Sequence, residues 1–404
     1  MTGASIARRT AARVIASDAE AILAAREFAE AIAPGVIGRD RSGELPVGAL
    51  AEFDASGLLA ITVPNVDGGA EVSMSTLAEV IRIIAAVDPA IAQVPQAHFL
   101  MVDVLSVWGT GEQRRRLFGD VLAGGRLGNA LAERGGRHAQ DLATRLLDGR
   151  RLDGRKYYCT GALTSRWIAV SALDDLDRVV LAFVPRDAPG VSLDEDWNTM
   201  GQRATVSGSA TFVDVDVDPE LVIPYYEAFE VPQQLGARAQ LVHAAIQVGI
   251  ACGALWDAGE FVRTRARPFF EAQRAGWAAG AGEDPYTIGR YGRLATRVRA
   301  AETLLADVAA TQQEIGRRPV DALAAARGSI AIAQAKAFAS EVAVEVASDL
   351  FALTGASAAD ERYDLSRHWR NARTHASHDP VDWKYHHVGN FLLNDALPPN
   401  HGQL

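Results

Sequence analysis

The sequence predicts an α+β chain in which two helical blocks flank an all-β segment. Three observations predict it. Apolar residues recur at helical spacing up to about residue 125. Strand-like runs broken by glycine occupy about 126–225. Long helical periodicity returns from about 232. The expected domains are an N-terminal helical domain over 1–125, a middle β-barrel domain over 126–231 and a C-terminal four-helix bundle with a tail over 232–404.

The elements follow in order. Asp18 to Ile32 is Ala/Glu-rich with helical spacing, and Pro34-Gly35 ends it. Leu77 to Ala86 is amphipathic and stops at Asp88-Pro89. His98 to Trp108 is strongly apolar before Gly109, and Glu112 to Leu122 is basic and apolar by turns. Arg178 to Pro185 reads as a strand, and Ser209 to Val217 alternates apolar with polar in its second half. Glycines at 149, 154, 161, 190, 201 and 208 punctuate this region, which favours a barrel or sandwich over a βαβ unit. Leu235 to Ala266 is long and mostly apolar, as in the middle of a bundle. Tyr291 to Arg317 and Val320 to Leu353 follow it, after a Gly/Ala-rich connection at 270–286.

Composition removes whole classes of function. The 404 residues carry a formal net charge of −10, so the electrostatic footprint of a nucleic-acid binder is absent. No continuous apolar run reaches the roughly 18 residues of a membrane span. The opening Met1 to Arg9 contains Arg8-Arg9, but Arg13, Asp18 and Glu20 interrupt any apolar core behind it, so export is not expected and a cytoplasmic location is. Two cysteines, Cys159 and Cys252, lie far apart, which excludes a disulfide framework or thiolate zinc site. No metal is expected. Neither GxGxxG, GxxxxGK[ST] nor GxSxG occurs, so Rossmann, P-loop and serine-hydrolase sites lack support.

Histidine is unevenly spread. Of nine, six follow residue 367: His368, His375, His378, His386, His387 and His401. Histidine titrates nearest neutral pH, so the skew marks where proton chemistry could sit. His375 and His378 are three apart and share a face if helical. Pro380 would end such a helix close to His378, whose C-terminal end favours cationic imidazole. On spacing alone the pair is either a proton-holding site or a simple cap of the last turn.

Several stretches resemble the acyl-CoA dehydrogenase superfamily, over essentially the whole chain. Gly57-Leu58 through Val63-Pro64 to Gly68-Gly69 is similar to its "GL…VP…GG" signature, and Arg370-Asn371-Ala372-Arg373 to its closing "R(D/N)AR" helix. A narrower set resembles the flavin-dependent monooxygenase branch, which contains the dibenzothiophene monooxygenases and sulfur-acquisition oxidoreductases. It comprises Asp196-Trp197, Gly201-Gln202-Arg203, Ser207-Gly208-Ser209, Arg265-Ala266-Arg267-Pro268, Asp284-Pro285-Tyr286 and His368 to Pro380.

The two branches need different residues. A dehydrogenase needs a carboxylate base at fixed geometry. An ungapped match from Arg370 places one family position for that base at Asp379, with Pro380 constraining its backbone. The other position lies on the first long bundle helix, where Val231 to Trp256 contains no Asp or Glu. The resemblance therefore implies a two-component monooxygenase. It takes reduced FMN from a separate flavin reductase, with FAD as the alternative flavin. It reacts the flavin with dioxygen to a C4a-hydroperoxide and oxygenates a small, organosulfur substrate. It also implies a homotetramer.

The site residues implied are these. His378 is the principal proton-handling group, assisted by His98, Thr160 and Asn129, and His375 contacts the flavin. Asn129 reaches the flavin ring, Tyr158 and Thr160 pass its N5 edge, and Trp197 closes one side. Arg267 grips the phosphate, with Arg263 and Arg265 as alternatives. On the residues alone His98 reads equally as a satisfied core histidine, and Asn129 as a turn former after Gly128. The tail from Val388 to Leu404 is expected over the site. The competing readings are an acyl-CoA dehydrogenase with Asp379 as base and a non-catalytic flavin-binding protein.

Overall fold

A computed structural model describes residues 12–138, 140–317 and 320–404. The Met1 to Arg9 stretch, on which the reading of export rests, lies outside them. The N-terminal block holds helices α1 (Asp18–Ile32), α2 (Val36–Ser42), α3 (Val47–Ala55), α4 (Met74–Val87), α5 (Pro89–Gln93), α6 (Gln96–Trp108) and α7 (Gly111–Leu122). Polar residues start them where their side chains satisfy first-turn amides. Ser17 caps α1, Ser73 caps α4, and Thr110 with Gln113 forms a reciprocal capping box on α7.

The middle of the chain is one eight-stranded sheet: β1 (Leu127–Ala130), β2 (Arg145–Leu147), β3 (Arg151–Lys156), β4 (Trp167–Leu173), β5 (Val179–Pro185), β6 (Val191–Asp194), β7 (Ser209–Asp216) and β8 (Val222–Ile223). The order is β6-β7-β3-β2-β4-β5-β8, with β1 parallel to β4. Alternation along β4 and β5 sends side chains into two different cores. Ile168, Val170, Ala182 and Val184 join Leu152, Phe212 and Val215 in a cluster enclosed by the strands and the loops between them. Trp167, Ala169, Leu181 and Phe183 join the large helical core on the other face. A sheet whose own strands surround one core is rolled. The ladder nevertheless leaves β6 and β8 unpaired with each other among the described residues, so the expected barrel has an open seam.

The C-terminal block holds α8 (Leu235–Thr264), α9 (Phe270–Arg274), α10 (Pro285–Ile315), α11 (Ala322–Thr354), α12 (Ser366–Ala376) and α13 (Val381–Asn394). Asp284 and Asp321 cap α10 and α11. α8 is the central rod, packed on α10, α11 and α12 and on α4 of the N-terminal block. Pro89–Trp108 and Leu235–Thr264 have the length and mean hydropathy of membrane spans, although polar residues interrupt both. Their windows are 78% and 83% buried inside the fold, as core helices are.

Close approach of α8 to α4 depends on glycine. A Cβ on Gly253 would stand 2.1 Å from the Ala86 carbonyl oxygen, and one on Gly249 2.5 Å from the Ala85 Cβ. Gly253→Ala is therefore expected to lower stability by about 1–3 kcal/mol through overpacking. Thermal unfolding reads this directly, and an unchanged Tm would contradict so tight a crossing.

The chain end departs from expectation in two ways. Helix α12 stops at Ala376, so His378 lies in the turn beyond it rather than on its face. Its amide bonds to the His375 carbonyl at 3.1 Å. Pro380 then stands at the start of a further helix, α13, whose second half runs into the segment expected as tail from Val388. After α13 the chain folds back. Lys384 Nζ donates to the Gln403 carbonyl, Asn400 donates to the Phe229 and Val231 carbonyls, and Gly236 on α8 meets Leu404 with no room for a Cβ.

Candidate functional site

The rim of the rolled sheet gathers four of the expected flavin residues. Asn129 on β1 donates its side-chain amide to the Tyr158 carbonyl at 3.2 Å and accepts from the Leu131 amide at 3.0 Å. Its own backbone amide donates to the Thr160 carbonyl at 3.1 Å. Tyr158 and Thr160 lie in the loop after β3, not on a strand. Tyr158 holds φ +60° and is 46% exposed, with its ring edge-on to Trp197 at 6.0 Å. The Trp197 indole is fixed by donating to the Gln202 carbonyl at 2.9 Å. Thr160, Ser207 and Thr205 form a hydroxyl chain with links of 2.7 and 2.8 Å.

Backbone strain concentrates here. Gln202 and Val206 both sit in the left-handed region, at φ +54° and +41°. For a β-branched residue this is an outlier costing about 1–3 kcal/mol, of the kind found at binding sites. The buried Gln202 amide has no partner for either Oε1 or Nε2 among the described residues. This loop lies against α12. The Gln202 backbone N–H donates to Asn371 Oδ1 at 2.5 Å, and a Cβ on Gly201 would sit 2.0 Å from the Arg370 carbonyl oxygen. Asn371 is four residues before His375, so the same helix carries the sheet rim and the histidines.

The second group is a cluster of three imidazoles. His243 on α8 lies 3.3 Å from His375 (Nδ1 to Nε2), and its ring stacks on His378 with centroids 4.1 Å apart. His243 went unnoticed in the sequence. A lone histidine in an apolar helix carries no spacing signal. Burial, the neighbouring imidazoles and Lys336 push His243 well below the usual range and His375 down to about 3. His378 is lowered by desolvation and by Lys336, against a raising hydrogen bond to Asp379, although 41% of its side chain is exposed on the open side. The expected helix-end stabilisation of imidazolium is thus outweighed: the cluster is held neutral and cannot store a proton in advance.

Asp379 is the pivot beneath it. It is 7% exposed and accepts from His378 Nδ1 at 3.3 Å. Lys336 donates to its Oδ1, and Lys384 lies 2.7 Å from its Oδ2. Burial alone would raise this carboxyl, but His378 and the two ammonium groups hold it far below the usual carboxylate range. A carboxylate so gripped is a poor base, which removes the residue on which the dehydrogenase reading depends.

Two expected residues stand apart. His98 is fully buried, with Nε2 donating to the Leu59 carbonyl at 2.8 Å and Nδ1 accepting from the Leu127 amide at 3.1 Å. Both ring nitrogens are committed to backbone, so His98 braces α6 against β1 and has no nitrogen left for a proton step. Arg267 lies exposed beyond the end of α8. Of its neighbours, Arg263 pairs with Glu260 at 2.5 Å and Arg265 lies over the Tyr363 ring at 5.0 Å. No cluster of three or more metal-holding side chains occurs among the described residues.

A helical block, a rolled sheet and a bundle with its site where sheet rim meets closing helix define a fold class. Families described as acyl-CoA dehydrogenase N-terminal and C-terminal domains match residues 17–125 and 241–383. The chain belongs to the acyl-CoA dehydrogenase family, and within it to the flavin-dependent monooxygenase branch. It is 33% identical over 393 residues to a dibenzothiophene monooxygenase from Mycolicibacterium goodii, covering 93% of this chain and 94% of that protein. It is 35% identical over 396 residues to the probable FMNH2-dependent monooxygenase SfnC of Pseudomonas putida, covering 94% and 96%. The crystal structure of FMN-bound TdsC from Paenibacillus sp. A11-2 superposes with a TM-score of 0.90 at 31% identity, over 95% of this chain and 100% of that one. Methanesulfinate monooxygenase MsuC from Pseudomonas fluorescens gives 0.88 at 31% identity, over 95% and 99%.

Proposed function

We infer that this protein is a two-component monooxygenase that uses reduced FMN and dioxygen to oxygenate a small organosulfur compound. The single observation that carries this beyond the fold is the site itself: three neutral imidazoles stand where a dehydrogenase needs a free carboxylate. The sheet rim suits a flavin. The unpartnered Gln202 amide offers a buried donor and acceptor for a heterocycle, and Tyr158 with Trp197 offers an aromatic wall. Asn129, the Thr160 hydroxyl and the Tyr158–Thr160 backbone would hold the ring, with Trp197 beside it and Arg267, reaching across a subunit boundary, for the phosphate. When bound, reduced FMN supplies the electrons that activate dioxygen for transfer to sulfur.

The protein's part is to hold that chemistry and move protons. Ionised Asp379 can only accept, so neutral His378 donates from Nδ1 and presents Nε2 to the open side. His378 takes up or returns a proton at Nε2. His375 and His243 back its ring and hold it in place. The hydroxyl chain runs inward, from Thr160 to Ser207 to Thr205 to the Gln202 carbonyl, and leaves the Thr160 oxygen to accept a hydrogen bond at the rim.

We propose that the protein works as a homotetramer in the cytoplasm, supplied with reduced flavin by a separate reductase. Exposed Trp256, Trp383 and Leu393, at 65%, 58% and 83%, support burial of the bundle end in an assembly. Light scattering should then return four times the 43.1 kDa chain mass.

The deciding experiment for the reaction class compares two assays. Aerobic turnover of an organosulfur compound with FMN, a reductase and NADH is expected to yield oxygenated product. Anaerobic incubation with acyl-CoA and an artificial electron acceptor is expected to yield nothing. Reversal of these results would establish the dehydrogenase instead, and flavin binding without either activity would leave a binding protein.

A further inference from the structure

Lys336 has no place in the chemistry above, yet it is the most deeply set charge near it. It projects from α11, 3% exposed, and donates to Gln240 Oε1 on α8 and to Asp379 Oδ1. Asp379 Oδ1 is the oxygen that also accepts from His378 Nδ1. Lys384 on α13 holds Oδ2 and is tied in turn to the Gln403 carbonyl. Both carboxylate oxygens are therefore paired with ammonium groups on two different helices, which opposes rotation of the carboxylate away from the imidazole.

We infer that Lys336 is a positioning residue for the proposed monooxygenase reaction: acting through Asp379, it fixes the orientation and tautomer of His378 and keeps its Nε2 unprotonated. The inference rests on the proton-handling assignment of His378. It deepens that assignment by naming what sets the histidine's state.

The charges around the site support it. From α8 comes His243 with neutral Gln240; from α11, Lys336; from α12 and the following turn, His375, His378 and Asp379; from α13, Lys384. His387 and His401 border the cleft of about 370 Å³ that Asp379 and Lys384 also line. With every imidazole neutral, two ammonium groups and one carboxylate leave a net charge of +1 at the core of the cluster. A proton added to any imidazole raises it to +2 in a half-dry site, where like charges repel strongly. Lys336 itself is brought down to about 8 by burial, with Asp379 opposing, so it remains cationic at neutral pH. A buried ion pair that merely joined α11 to α13 would need neither the shared oxygen nor the stacked imidazoles.

The test separates positioning from support by using substitutions with opposite expected signs. Flavin-free protein labelled with 13C at histidine Cε1 is titrated by NMR in the wild type, Lys336→Met, Lys336→Arg and Asp379→Asn, with His378 assigned by its loss in His378→Ala. Lys336→Met is expected to raise the His378 midpoint by about one pH unit, and Asp379→Asn to lower it by about as much. Lys336→Arg should leave it near the wild-type value. The acid limb of the kcat profile should move in the same directions, with KM for the organosulfur substrate little changed. Shifts of the same sign in Lys336→Met and Asp379→Asn, or no shift in either, overturn the proposal. Should Lys336→Met fail to fold, Asp379→Asn decides alone, and a midpoint that stays or rises overturns it. If the midpoints move as expected and the kcat limb does not follow, the positioning role stands and the catalytic assignment of His378 falls.

Discussion

His378→Ala is expected to cut oxygenation turnover by about two to four orders of magnitude, the usual contribution of a positioned acid or base. The substitution leaves the frame intact. His378 lies outside α12, 41% of its side chain is exposed, and its one side-chain hydrogen bond is to a carboxylate oxygen that also accepts from Lys336. Its removal therefore orphans no buried partner. Flavin binding should survive, because the rim residues Asn129, Tyr158, Thr160 and Trp197 are held by their own bonds. Reduced flavin should still be consumed by oxygen, with hydrogen peroxide replacing oxygenated product. Product yield and peroxide release, measured together in a reductase-coupled assay, check this. An unchanged product yield would remove His378 from the chemistry. The same substitution at His98 tests a brace, and should act on stability instead.

Stability should fall steeply on acidification, and the histidines set the window. Burial brings His98 from 6.5 to about 4 and His375 from 6.5 to about 3. The unfolded chain then binds more protons than the native one wherever pH lies between these values and 6.5. Stability is complete above about pH 6.5 and is lost as pH falls through that range. Between pH 7 and 5 each histidine should cost about 2 kcal/mol, so the pair removes a large share of an ordinary domain's margin. His243 adds in the same direction. Urea midpoints at half-unit pH steps measure it. His98→Asn should begin less stable at pH 7.5 yet show a shallower slope below pH 6.5. A wild-type midpoint flat from pH 7 to 5 would show that these rings are not neutral in the folded protein.

Much of the architecture was legible. Asp18–Ile32 appears with the bounds its periodicity gave, and Arg178 to Pro185 forms β5 one residue shorter. Those segments carry strong period or cap signals. The final forty residues were harder. Pro380 was read as a stop, but proline also suits a helix start, and here it caps α13. The sheet rim could be named from motif resemblance because each of its residues sits within a short contiguous motif. The imidazole cluster could not, since His243 and His375 are 132 positions apart and meet only when α8 packs on α12. The histidine skew itself mixes roles. His368 serves Asp257 at 2.8 Å beside Arg367, a structural pair, while His375 and His378 build the site. His98 failed as a proton donor for a reason composition never shows: two backbone groups already occupy its nitrogens.

A single turnover under labelled oxygen tests the central claim most directly. Protein loaded with one equivalent of reduced FMN is mixed with 18O2 and a small organosulfur compound, and product is read by mass spectrometry. One 18O atom per product molecule, with yield approaching the flavin added and collapsing in His378→Ala, is the predicted result. Full flavin oxidation with stoichiometric peroxide and unlabelled substrate, across sulfides, sulfoxides and sulfinates alike, would contradict it.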